Sequence, residues 1–238
     1  MTNDKPFVNI SGCIHISSGF LEIPDTMQAR IDGSVSGGLI VVGRQGTLNI
    51  CGGHASQYVR HTLIEPGGYM NVSGCMASSY DTYINSGGSM AVIDGGCAFE
   101  VEVDGDIRFT SAAGDVGHIH VNSGGRMCAE ATWIQRVEAR EKSWVSITSG
   151  AHVEIIDICS GATCVVKSAS VASACVRSGG TLSVIDGTAT ETFIQSGGVM
   201  RKSGRCKIHY QSISEIGGVE WKDYGDETEV DDGLGSYT

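Results

Sequence analysis

Glycine pairs return along this chain at nearly regular intervals, and each punctuates the same short pattern. The clearest copy is Val176–Met200, where Ser-Gly-Gly stands at Ser178–Gly180 and again at Ser196–Gly198. Beside the pairs lie the alternating runs Thr181–Val184 and Thr192–Gln195. Alternation of period two reads as short strands, and glycine pairs admit the positive φ that tight turns require. With the second residue of each pair as a mark, Gly46, Gly68, Gly88, Gly105, Gly125, Gly180, Gly198 and Gly218 are clear, and Ser143 and Ala162 are degenerate. These ten marks span 172 residues, a period of about 19, which is a solenoid-type repeat.

Three columns follow the marks. Two residues after each stand Leu48, Met70, Met90, Ile107, Met127, Val145, Cys164, Leu182 and Met200. Four residues after stand Ile50, Val72, Val92, Phe109, Ala129, Ile147, Val166 and Val184. Four residues before stand Val42, Ile64, Ile84, Val101, Val121, Ala139, Ile158, Val176 and Ile194. A unit this short cannot bury its apolar residues alone, whereas stacked units turn each column into a continuous ladder. Neighbouring coils then hydrogen-bond as parallel strands about 4.8 Å apart, with the glycine pairs at the corners. With Gly at 34 of 238 residues, no sustained helical spacing survives. The expected fold is all-β, a single elongated parallel β-solenoid (β-helix) of about ten coils.

The columns also suggest an organisation. Residues 1–45 are the least regular and read as an N-terminal cap with irregular opening coils, since an open solenoid end needs covering. Residues 46–222 are the repeat body. Within it, 126–150 is weakest, with Trp133, Trp144 and the charged run Arg136–Lys142; an irregular coil is expected there, with a short inserted helix as the alternative. Beyond Met200 the columns are expected to fail, with Lys202, Ser214 and Glu220 at apolar places and Trp221 and Tyr224 as a lid. Residues 223–238 form an acidic tail expected to be disordered.

Composition narrows the function. A net charge of −11 from 27 acidic and 16 basic residues leaves no basic stripe to neutralise phosphates, so no nucleic acid partner is expected. No apolar run approaches the length of a membrane span, and Met1–Phe7 lacks the basic and apolar regions of a signal peptide. The nine cysteines contain no Cys-x-x-Cys. Small buried reduced thiols are the leading reading, with inter-coil disulfides and a metal or catalytic role as alternatives.

The unit Ser-Gly-Gly-x-Leu/Met-x-Val-x-x-Gly, followed by Thr-x-Ile-x-Ser-Gly-Gly, resembles the AIDA-type repeat of autotransporter adhesin passengers. Tyr83–Gly96 and Val176–Met200 carry it best, and it covers about 40–220. The resemblance implies a β-solenoid at or beyond a bacterial surface, serving adhesion, autoaggregation or biofilm, whose partner is a host or sibling cell surface. It also implies O-glycosylation of serines by a dedicated glycosyltransferase. Carried onto this chain, the candidates are Ser86, Ser123, Ser178 and Ser196, each before a glycine pair, with Ser36 a weaker one. The alternative is that corner serines only bond their own turns.

Little points to catalysis, and neither a catalytic residue nor a cofactor is expected. Asp104 and Asp106 at i, i+2, and His118 and His120 likewise, would each share a strand face, but neither pair has an evident third ligand. The six-residue step Val176, Leu182, Thr188, Ile194, Met200, Cys206 suits a hexapeptide acyltransferase, yet it breaks elsewhere. A carbohydrate-active β-helix would need a carboxylate cluster that is not visible. The expected function is therefore a non-enzymatic adhesin-like surface or secreted protein. The second reading is an intracellular or phage-borne rod assembling through its ends, as a homo-oligomer, which the missing signal peptide and abundant thiols favour.

Overall fold

In the computed structural model, residues 7–15, 19–25, 27–52, 57–110 and 113–213 are described, and every regular element among them is a β-strand. The chain divides into two compact units, residues 1–119 and 120–238, and each is a parallel β-solenoid. The first unit contains β1 (Phe7–His15), β2 (Phe20–Ile23), β3 (Gln28–Ser36), β4 (Leu39–Val42), β5 (Thr47–Cys51), β6 (Gln57–Ile64), β7 (Tyr69–Ser73), β8 (Ala77–Ile84), β9 (Ser89–Ile93), β10 (Cys97–Val103) and β11 (Asp106–Phe109). Strand β12 (Val116–Val121) straddles the division. The second unit continues with β13 (Arg126–Glu130), β14 (Trp133–Ala139), β15 (Trp144–Thr148), β16 (His152–Ile158), β17 (Thr163–Lys167), β18 (Ser170–Val176), β19 (Thr181–Ile185), β20 (Thr188–Ile194), β21 (Val199–Ser203) and β22 (Lys207–Ile213).

Each strand pairs in parallel with its counterpart one coil on, which turns the sequence columns into ladders. In the first unit Leu48, Met70, Met90 and Ile107 stack in register, all at most 2 % exposed. In the second unit Met127, Val145, Cys164, Leu182 and Met200 do the same. Burying such a side chain fully contributes about 1.5–3 kcal/mol, so the narrow core gains its stability one coil at a time.

A single coil shows why the alternation suffices. From Tyr69, β7 turns Met70 and Val72 inward; after a corner, β8 turns Ala77 and Ser79 inward. Asp81 then bends the strand with φ 54°, so that Thr82 and Ile84 face the core on a third side. The Asn85–Gly88 corner closes the coil, with the Gly88 amide donating to the Asn85 carbonyl at 2.8 Å. The two glycines of such a corner have different duties. Gly179 supplies φ +78°, whereas a Cβ on Gly180 would lie 2.6 Å from the Ile158 carbonyl oxygen of the coil below.

Several details depart from the sequence reading. Val101 does not continue the Ile64–Ile84 column: Val103 pairs with Ile84 and Val101 with Thr82, because the corner at Asp104–Gly105 is shorter than its neighbours. Residues 126–150 are a regular coil rather than an irregular or helical one, with β13 on β15 in unbroken register. The charged run is compatible because Val137 and Ala139 are its inward residues. The ladders also persist past Met200, where Lys202 pairs with Val184 and is 8 % exposed. Ser214, Glu220, Trp221, Tyr224 and the acidic tail 223–238 lie outside the described residues.

Candidate functional site

The corner that closes each coil carries the serines singled out by the repeat. Ser86, Ser123 and Ser178 are exposed and Ser196 is half-buried. No side-chain hydrogen bond within the described residues engages any of them, so the corner is held by its backbone. At Ser178 the Gly180 amide donates to the Arg177 carbonyl at 2.8 Å, and at Ser196 the Gly198 amide donates to the Gln195 carbonyl at 2.8 Å. Ser36 differs: it ends β3 and its Oγ lies 3.3 Å from His15 Nδ1.

The structure adds a residue that the motif missed. Ser160 occupies the same corner position and is exposed, in a coil closed by Gly161 and Ala162 instead of a glycine pair. Ser160, Ser178 and Ser196 therefore succeed one another on three consecutive coils of the second unit. Ser160 Oγ sits 2.8 Å from the Cβ position of Gly179, and Ser178 Oγ 2.8 Å from that of Gly197. Each hydroxyl thus overhangs the glycine of the next coil, which is free of side-chain bulk. A search for the turn serine alone, without the second glycine, would have found it.

Next to this serine ladder in the second unit runs a ladder of charge. His120 Nδ1 lies 2.8 Å from Glu138 Oε2; Arg140 donates to Glu138 Oε1 at 3.3 Å and to Asn122 Oδ1 at 2.7 Å. One coil on, Arg136 donates to Asp157 Oδ2 at 2.6 Å, and the Arg177 guanidinium lies 3.6 Å from Asp157 Oδ1. Cys159 and Cys175 flank this carboxylate, and burial is the main cause that pushes both thiols up. They are held as thiols at neutral pH and are poor nucleophiles.

Partial burial pushes the Glu138 carboxyl up, but hydrogen bonds and charge from Arg140 and His120 outweigh it, and the net shift is down. A carboxylate with a depressed folded pKa contributes stability that is fully present above its ordinary value of 4.5 and is lost as pH falls through the folded one. Glu138→Gln is therefore expected to lower Tm at neutral pH, by an amount that shrinks as pH falls from 4.5 through the folded pKa, below which both forms are uncharged. Thermal melts of the two proteins across that range check this, and a Tm gap independent of pH would contradict it.

The paired motifs are not assembled into sites. Tyr83 donates its hydroxyl to Asp104, which lies in the corner, while Asp106 opens β11 opposite Ser89. His118 Nδ1 lies 3.4 Å from Glu100, whereas His120 is taken by Glu138. Among the described residues no group of three or more His, Cys, Asp or Glu side chains is arranged to hold a metal ion, and no helix is long and apolar enough to cross a membrane. None of the eight cysteines whose side chains are described is joined in a disulfide; Cys164 and Cys206 are buried and Cys75 is exposed.

Stacked parallel coils with uncommitted, evenly spaced corner groups define a repeat protein of the parallel β-solenoid class. No family model matches the chain, and no curated protein matches it. Among solved structures it is similar to a fragment of TibA hyper-glycosylated in a TibC-catalysed reaction. The two are 22 % identical, the match covers 93 % of this chain and 100 % of that one, and the TM-score is 0.47.

Proposed function

We propose that this chain is a non-enzymatic, adhesin-like β-solenoid displayed at or beyond a bacterial surface, where its regular outer faces meet a host or sibling cell. Its corner serines are acceptors for a serine O-glycosyltransferase. The observation that carries this reading is the row Ser160, Ser178 and Ser196: accessible to half-accessible hydroxyls, unused by their own turns, repeated once per coil beside bare glycines. A serine that served only its turn would spend its hydroxyl on the local backbone. The resemblance of Tyr83–Gly96 and Val176–Met200 to adhesin passenger repeats points the same way.

The free thiols favour a second reading, an internal structural rod, because cysteine-rich chains in oxidising compartments tend to pair. Intact-mass measurement of the protein from its native host separates the two. The surface reading expects repeated sugar increments that peptide mapping places on Ser86, Ser123, Ser160, Ser178 and Ser196, and Ser178→Ala to remove one of them. An unmodified mass together with nine titratable thiols, the full cysteine complement, would overturn it in favour of the rod.

A further inference from the structure

The interior of the first unit holds polar groups that nothing in the chain satisfies. Thr62, Ser79 and Thr82 are 1 %, 0 % and 1 % exposed, and Gln57 is 6 % exposed. Their three hydroxyls and Gln57 Oε1 have no hydrogen-bond partner. The register of β6 on β8 draws them together, with Thr62 on Thr82, Val59 on Ser79 and Gln57 on Ala77. His61 and Asp81, both at φ 54°, bend these strands between Val59 and Thr62 and between Ser79 and Thr82. The hydroxyls therefore line one inner corner of two consecutive coils. Ala77 and Ala98 are the small side chains among the buried neighbours on that side, where Val59 stacks on Ser79, Val101 on Thr82 and Ile40 on Thr62.

Elsewhere the pattern is different. The buried, unpartnered hydroxyls of the second unit, on Thr132, Ser143 and Thr192, fall singly at separate places, before β14, before β15 and within β20. Three unpartnered hydroxyls at one bend, with Gln57 Oε1 unpartnered at the start of the same side, would be a heavy penalty for a fold whose net stability is small. They also form a suitable set for a ligand that both donates and accepts.

We propose that this corner is a binding site for ordered water: at least one molecule enclosed between the coils of β6 and β8. The water bonds the hydroxyls of Thr62, Ser79 and Thr82 and donates to Gln57 Oε1. Buried waters characteristically take two to four polar partners, which this set supplies. A divalent cation is the poorer occupant, because the four donors include no carboxylate to offset its charge. The enclosed water makes the polar corner part of the core and links the second side of a coil to the third.

The test uses the full chain and the double variant Thr62→Val, Thr82→Val. Valine keeps the shape of threonine and already stands in this column at Val101, so the variant is compatible with the fold. Oxygen-17 magnetic relaxation dispersion counts the long-lived waters in each protein, and thermal melting reads the consequence. The expected result is that the variant loses at least one long-lived water and its Tm falls by roughly 2–4 °C, since Ser79 and Gln57 are then left without a partner. Ser79→Ala provides a second route to the same loss. No change in the count of long-lived waters, with a Tm that rises as unsatisfied hydroxyls give way to methyl groups, would overturn the proposal.

Discussion

Met90→Asp is expected to abolish the cooperative unfolding transition of the first unit. Met90 is 2 % exposed and is clasped between Met70 and Ile107 of the adjoining coils. Truncating a buried methionine already costs about 2–5 kcal/mol. Aspartate adds a carboxyl group that has no partner there and must either remain charged in an apolar setting or take up a proton. The sum approaches the about 5–15 kcal/mol of net stability typical of a whole protein. Met90→Leu separates the causes: it preserves volume and polarity and should cost less than about 1.5 kcal/mol. Urea and thermal melts followed by circular dichroism make the comparison. If the aspartate variant melted like the parent protein, the Met70–Met90–Ile107 ladder would not be the core.

That ladder was legible in the sequence because two independent signals coincide on it: the alternation of apolar residues and the glycine pair that sets their phase. Where the phase marker varies, legibility suffers. The coil that closes at Gly105 has a shortened corner, so counting back from the glycine selects Val101 when Val103 is the residue that stacks on Ile84. The bend within β6, β8, β10 and β20 was invisible for a related reason. It falls on His61, Asp81, Glu100 and Glu191, which hold φ between 48° and 54° without being glycine. Nothing in the residue types announces it. Polarity alone marks Lys202 as the end of the ladders, yet its backbone stays in register with Val184.

The candidate site was partly legible. Ser86, Ser123, Ser178 and Ser196 were found because glycine pairs follow them, and Ser160 was missed because Ala162 replaces the second glycine. The buried Thr62, Ser79 and Thr82 could not be read at all: serine and threonine occupy inward and outward strand positions alike in this chain, and only register separates them. Corner chemistry was thus set by local pattern, whereas the polarity of the interior was set by stacking.

Gly105→Ala is expected to be the most damaging of the conservative changes at a corner. A Cβ there would overlap the Gly88 carbonyl oxygen and lie 2.5 Å from the Asn85 carbonyl oxygen and 3.0 Å from Ile84 Cγ2. The two oxygens belong to the backbone of the coil below, so no side-chain rotation relieves the clash, and the shortened Asp104–Gly105 corner has no spare residue to move. The amides of Asp104 and Gly105 are both tied to the Ile84 carbonyl, at 2.8 and 3.1 Å, and the Asp106 amide donates to Gly88 at 3.0 Å; any shift stretches these bonds. Overpacking of this kind costs about 3 kcal/mol, which corresponds to a fall in Tm of roughly 6–12 °C. Gly180→Ala is the instructive partner. Its Cβ also approaches a carbonyl, but the full-length corners of the second unit already accept Ser143 and Ala162 at the equivalent place, both buried, so the loss there should be clearly smaller. Thermal melts of the two variants side by side give the answer. Equal losses would show that corner length is irrelevant, and that the glycines are required for their missing side chains at every coil alike.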